Sequence, residues 1–178
     1  MDYDAAEHIH RYAVWTAARA QRAFLTNELI NDAINKVRLK EECQDLKNWN
    51  TITVSEFDNW HSRKCNELVN ILKFIKSGEV YFGRSAKIVN IYLKTSVVIG
   101  GCATDCSLTN IIHPPIDKIL LTNLISKDKI SGKYLKVAWT KMGEEIYKEI
   151  IKEIREEFPA LWKVEEYWNI KDENESKN

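Results

Sequence analysis

Glycine and proline are scarce in this chain of 178 residues, six of the one and three of the other. All-β folds need many turns, and turns draw on those two residue types, so a sandwich or a barrel is excluded. Long apolar runs are also missing. No stretch approaches the roughly 18 apolar residues of a membrane-spanning helix, and no membrane partner is expected. The opening Met1-Asp2-Tyr3-Asp4 is acidic and has no apolar signal-peptide core, so a cytoplasmic location is expected. The cysteines, at positions 43, 65, 102 and 106, are read as reduced thiols, the default for a helical protein of this size. There is no excess of charge of either sign, with 26 basic and 26 acidic residues.

What is present points to a packed helical globule. The hydrophobic fraction is 44% and there are six tryptophans, which argues against disorder. The expected architecture is all-α: a single compact domain of about six to seven helices over residues 1–170, followed by a disordered acidic tail at 171–178. Asp4 caps a first helix, with Glu7 three residues on, and that helix runs to about Phe24. Thr26 to about Cys43 is a second helix. Residues 48–54 form a loop. Ser55 caps a third helix that reaches about Ile75. A fourth follows Gly83 and ends near Val98, and an irregular segment extends through Asn110. Pro114-Pro115 starts a fifth, because proline suits the first helical turn. A sixth spans about Tyr134 to Glu157, and a short helix follows at Ala160–Trp168.

The balanced charge is unevenly spread. Residues 1–60 carry seven Lys/Arg against ten Asp/Glu, a net of −3. Residues 61–141 carry thirteen against five (+8), and residues 142–178 carry six against eleven (−5). A basic middle between acidic ends suits an anionic partner bound centrally, or acidic ends that pack beside the middle and cancel it.

Gly83-Arg84-Ser85-Ala86-Lys87-Ile88-Val89-Asn90-Ile91-Tyr92-Leu93-Lys94-Thr95 is the most informative stretch. At helical spacing Ala86, Ile88, Val89, Tyr92, Leu93 and Val97 share one face. Arg84, Lys87, Asn90 and Lys94 share the other. Crowded cations disfavour one another's charge, and a neutral lysine amine can attack carbon. A second stretch, Ile112-His113-Pro114-Pro115-Ile116-Asp117-Lys118, puts a carboxylate in the first turn of a helix, where the helix dipole favours it.

Taken together, Gly-x-x-Ala-Lys-x-x-Asn-x-x-Leu and the later Pro-Ile-Asp resemble the helix-hairpin-helix DNA glycosylases. The resemblance covers about a fifth of the chain. It has one hairpin glycine, Gly83, where that superfamily usually has two. It implies that Lys87 is a Schiff-base nucleophile. It further implies that Asp117 is a carboxylate stabilising a cationic transition state, acting on a base flipped from the stack. Arg84, Asn90, Lys94, His113 and Lys118 are then the residues expected to contact DNA. No cofactor and no metal is expected. The alternative is a non-catalytic helical module that binds nucleic acid or an acidic protein through its basic middle. Self-association is compatible with either.

Other constellations are weaker. His61 and Cys65 share a helix face at i, i+4, and with Cys102 and Cys106 would supply four zinc ligands, though without a Cys-x-x-Cys knuckle. His8 and His10, at i, i+2, do not share a face and make a poor metal pair. The tryptophans at 15, 49, 60, 139, 162 and 168 are read mainly as core, although such residues also stack on bases.

Overall fold

A computed structural model describes residues 3–21, 24–47, 51–76, 78–100 and 106–169. Cys102, residues 48–50 of the expected loop and the tail at 171–178 lie outside the described residues. Within them the chain is all-α and has no strand. It forms α1 (Ala5–Ala20), α2 (Asn27–Lys36), α3 (Leu39–Lys47), α4 (Val54–Lys76), α5 (Phe82–Leu93), α6 (Ser107–Ile111), α7 (Lys118–Ser126) and α8 (Glu144–Glu157). A π-helical segment, Lys94–Ile99, prolongs α5, and 3-10 helices occupy Gly132–Lys136, Trp139–Lys141 and Leu161–Tyr167. With the π-segment this is nine helices before any 3-10 turn is counted, more than the six to seven expected. No helix among the described residues is long and apolar enough to cross a membrane.

The additional helices come from breaks that periodicity does not signal. The expected second helix divides because Arg38 adopts a left-handed backbone, with φ 55°. The break redirects the chain so that α3 buries Leu39, Cys43 and Leu46. Lys64 of α4 secures it: its buried ammonium donates to the Val37 carbonyl at 2.7 Å and pairs with Glu42 and Glu67. The expected sixth helix begins only at Glu144, because Val137, Ala138, Met142 and Gly143 are all extended.

Prolines explain a third difference. Residues before proline are held out of the α region by a clash with the proline ring. His113 and Pro114 both precede one, so 113–117 stays outside any helix and α7 opens at Lys118, with Asp117 as its N-cap. The caps themselves follow ordinary chemistry. The Asp4 carboxylate accepts from the Ala6 and Glu7 amides. The reciprocal box expected from Glu7 is absent, since Glu7 is drawn to Lys40 at 2.7 Å. For α4 the capping box is Thr53 with Glu56, in place of Ser55.

Helix α5 is the centre of the molecule. It packs on α1, where Ala13 and Ala17 allow close approach, and on α4 and α8. Gly83 in its first turn permits one further contact. A Cβ there would lie 2.2 Å from the Trp139 carbonyl oxygen. The Gly83 amide, which has no acceptor inside the helix, donates instead to the Met142 carbonyl at 2.9 Å. The 139–142 turn therefore lies directly on the start of α5. Gly83→Ala must displace that turn and should destabilise the protein by roughly 1–3 kcal/mol, as over-packing does elsewhere. Denaturant unfolding measures this, and an unchanged midpoint would show that the turn gives way freely.

Candidate active site

Lys87 occupies the second turn of α5, the second helix of an α4–α5 hairpin whose connection spans residues 77–81. The side chain is nearly buried, and its ammonium donates to Asp117 Oδ2 at 3.0 Å. The carboxylate is fully engaged. Oδ1 accepts the Leu120 amide at 2.9 Å as the cap of α7, and Oδ2 also accepts the Trp168 indole N–H at 2.9 Å. Burial alone would raise the Asp117 carboxyl. The Leu120 amide, Lys87 and Trp168 outweigh it and hold the group below its ordinary value, so Asp117 is an anion at neutral pH.

Of the cations on the polar arc, Lys87 is paired with a carboxylate. Its ammonium also lies 4.3 Å from the ring centroid of Trp139, held there by the Gly83 contact. Arg84 stacks 4.0 Å above Phe24, donates to Gln21 and lies 5.6 Å from the centroid of the same Trp139 ring. Lys94 is ion-paired with Glu165 of the C-terminal 3-10 helix. Lys118, at the start of α7, is exposed.

The pair forms a wall between two hollows. One, of about 480 Å³, is bordered by Lys87, Asp117, Lys94, Trp168 and the α1 residues Tyr12, Thr16 and Arg19. The other, of about 220 Å³, is bordered by Lys87, Asp117, Lys118 and Trp139. The π-segment contributes to the first: Lys94, Thr95 and Ile99 border it, and the Thr95 hydroxyl lies 3.2 Å from that of Thr16.

Asn90 and His113, both expected to contact DNA, are buried in a polar chain behind the pair, and His113 also borders a separate hollow with Pro114 and Trp162. The direction of the chain follows from one atom. The Pro114 carbonyl can only accept, so the group 2.9 Å from it is the Asn90 amide nitrogen. That nitrogen also donates to the Tyr147 hydroxyl at 2.9 Å. Asn90 Oδ1 must then accept from His61 Nε2 at 2.7 Å. Having accepted from Asn90, Tyr147 gives its proton to His113 Nδ1 at 3.0 Å, and His113 Nε2–H donates to Asp58 at 2.9 Å. Arg155 closes the chain with a two-point grip on Asp58, at 2.9 and 3.0 Å. His113 and Pro114 are thereby fixed four and three residues ahead of Asp117, so the network positions the carboxylate.

No sequence signal distinguished these supporting groups. Tyr147 lies on the apolar stripe of α8, and Trp139 and Trp168 read as ordinary core residues. The zinc arrangement is not assembled among the described residues. His61 and Cys65 are neighbours, with sulfur-to-ring distances of 3.6–3.7 Å. Cys106 bonds to Thr109 instead, and no group of three or more His, Cys, Asp and Glu able to hold a metal occurs among the described residues. His10 is engaged by Tyr92 and Asn31, and His8 by Tyr3.

Burial holds the His113 imidazole below its ordinary value, against the pull of Asp58, and holds His61 well below it. The unfolded chain takes up these protons near pH 6.5 and the folded chain only at lower pH. The unfolded state therefore binds more protons, and the stability that the two histidines contribute is lost as pH falls below about 6.5. Thermal or denaturant unfolding between pH 7 and 5 should show stability falling by up to about 1.4 kcal/mol per pH unit for each histidine. Equal stability at the two pH values would contradict the neutral assignment.

No protein-family model matches the chain, and neither the curated proteins nor the solved structures give a match.

Proposed function

We propose that this chain is a DNA-base-processing protein of the glycosylase/lyase type, with Lys87 as the amine nucleophile and Asp117 as the carboxylate that stabilises the cationic transition state. The observation that carries this reading is the 3.0 Å pairing of the two residues on the wall of a cavity of about 480 Å³. That volume is in the usual range for a small-molecule site and suits an extruded nucleotide. Trp168, which donates to Asp117, also borders that cavity.

The Lys87 ammonium gives one proton to the departing base, which leaves with the electron pair of its bond to C1′. The amine, now neutral, forms a bond from Nζ to C1′. The C1′–O4′ bond then breaks, O4′ takes a second proton from Nζ, and a protonated imine remains. Positive charge develops at C1′ during departure, and a carboxylate that remains ionised is the group able to offset it. The low proton affinity of Asp117 fits an electrostatic role better than that of a general base.

The reading as a binding module has less support. It needs the basic middle segment to be available, and acidic C-terminal residues already pair with three of its thirteen cations. Lys94 meets Glu165, Lys129 meets Glu157, and Lys133 meets Glu149 and Glu153.

Borohydride trapping on DNA carrying an abasic site tests the proposal. A covalent adduct is expected with the unaltered chain and none with Lys87→Gln. An adduct that survives Lys87→Gln removes Lys87 from the mechanism, and no adduct on any substrate removes the lyase. Asp117→Asn keeps a competent helix cap. It should slow base excision by about 100-fold or more, in line with the loss of one charge-stabilising group elsewhere. Unchanged excision would exclude Asp117.

A further inference from the structure

Helix α1 carries an outward stripe that the fold does not use. Its inner face buries His10, Ala13, Val14, Ala17 and Ala18. The opposite face of a surface helix is ordinarily charged. Here it presents Tyr12 at 51% and Trp15 at 45% exposure. Their rings are stacked, with centroids 5.6 Å apart and planes 21° from parallel. The Arg19 guanidinium lies 5.9 Å from the Trp15 ring centroid. Leaving two large aromatic rings in water forgoes the gain from burying them, so the stripe calls for a flat partner. Arg19 makes no ion pair among the described residues and adds a positive charge at the end of the stripe. The stripe also leads to the cavity, because Tyr12 and Arg19 border the same hollow as Lys87 and Asp117.

We infer that Tyr12, Trp15 and Arg19 form a stacking platform for an unpaired nucleotide next to the one held at Lys87 and Asp117, which makes single-stranded or locally opened DNA the substrate class. The inference rests on reading that cavity as a DNA-base site. Stacked aromatic rings accept any base face, and a neighbouring guanidinium suits the adjoining phosphate. In an intact duplex the base faces are already stacked on one another, so only an opened strand can use such a platform. The platform therefore selects for strand state and not for sequence.

Fluorescence anisotropy with a labelled, lesion-free 20-nucleotide strand, alone and annealed to its complement, tests this. The unaltered chain should bind the single strand more tightly than the duplex. Tyr12→Ala combined with Trp15→Ala should weaken single-strand binding roughly 5- to 150-fold, the value of one stacked base, and leave duplex binding little changed. Trp15→Phe should retain most of the affinity. Arg19→Gln should reduce the slope of log affinity against log salt by about 0.7, the share of one phosphate contact on a single strand. The rings are exposed, so a melting temperature matching that of the unaltered chain is the check on folding.

Full single-strand affinity in the double variant overturns the platform and leaves the stripe as a surface for another protein. Equal affinity for strand and duplex overturns it too, as does binding to neither. Trapping on an abasic strand separates the two readings. Platform-dependent binding without any adduct keeps the platform and rejects the Lys87 chemistry. An adduct formed equally well by the double variant at limiting protein keeps the chemistry and rejects the platform.

Discussion

The side chain of Asn90 has no route to water, and its amide hydrogen-bonds to His61, Pro114 and Tyr147. Those partners belong to α4, the proline segment and α8, and Asn90 itself sits at the middle of α5. A buried amide left without partners is costly, so each of these segments is held in a single register by the need to satisfy it. A leucine at this position would remove the polar requirement. It would also leave a carbonyl, a hydroxyl and an imidazole to find other partners. The position of Asp117 follows from the same constraint, since the proline segment that Asn90 and His113 fix leads straight into the carboxylate.

The charge segregation along the chain has a structural meaning as well. The acidic C-terminal part lies against the basic middle and forms ion pairs from α8 and the last 3-10 helix. Most of these pairs are partly exposed and each contributes little to stability. Lys87 and Asp117 differ, because both are nearly buried and both are further engaged by tryptophans. Removing one partner of such a pair leaves a charge in a poor solvent, whereas replacing both by apolar groups need not cost stability.

Much of the helical content was legible from caps and periodicity. Asp4 begins α1 because its carboxylate satisfies two free amides, and that need is visible in the sequence. The division of α2 from α3 was not legible, because Arg38 is an unlikely residue for a left-handed turn. Only the distant Lys64, bound to the Val37 carbonyl, makes the turn worthwhile. The same limit governed α5. Periodicity placed Asn90 with Arg84, Lys87 and Lys94 on one polar arc, correctly as angles around a helix. Whether a polar arc faces water or a polar core depends on elements tens of residues away. Asn90 and Lys87 face the interior, Lys94 meets Glu165, and Arg84 lies on Phe24. The paired prolines misled for a different reason. A proline suits a first helical turn, but two in succession also hold the residues before them out of a helix, and here that second effect prevailed.

Trp168 and Glu165, which hold Asp117 and Lys94, come from the end of the described chain. During synthesis both members of the central pair emerge long before the groups that steady them. A chain interrupted after α8 would carry Lys87 and Asp117 with neither the indole hydrogen bond nor the ion pair beside them. The arrangement at the cavity is therefore complete only once residues 165–168 are in place, and that segment acts on it as a clasp closed from outside.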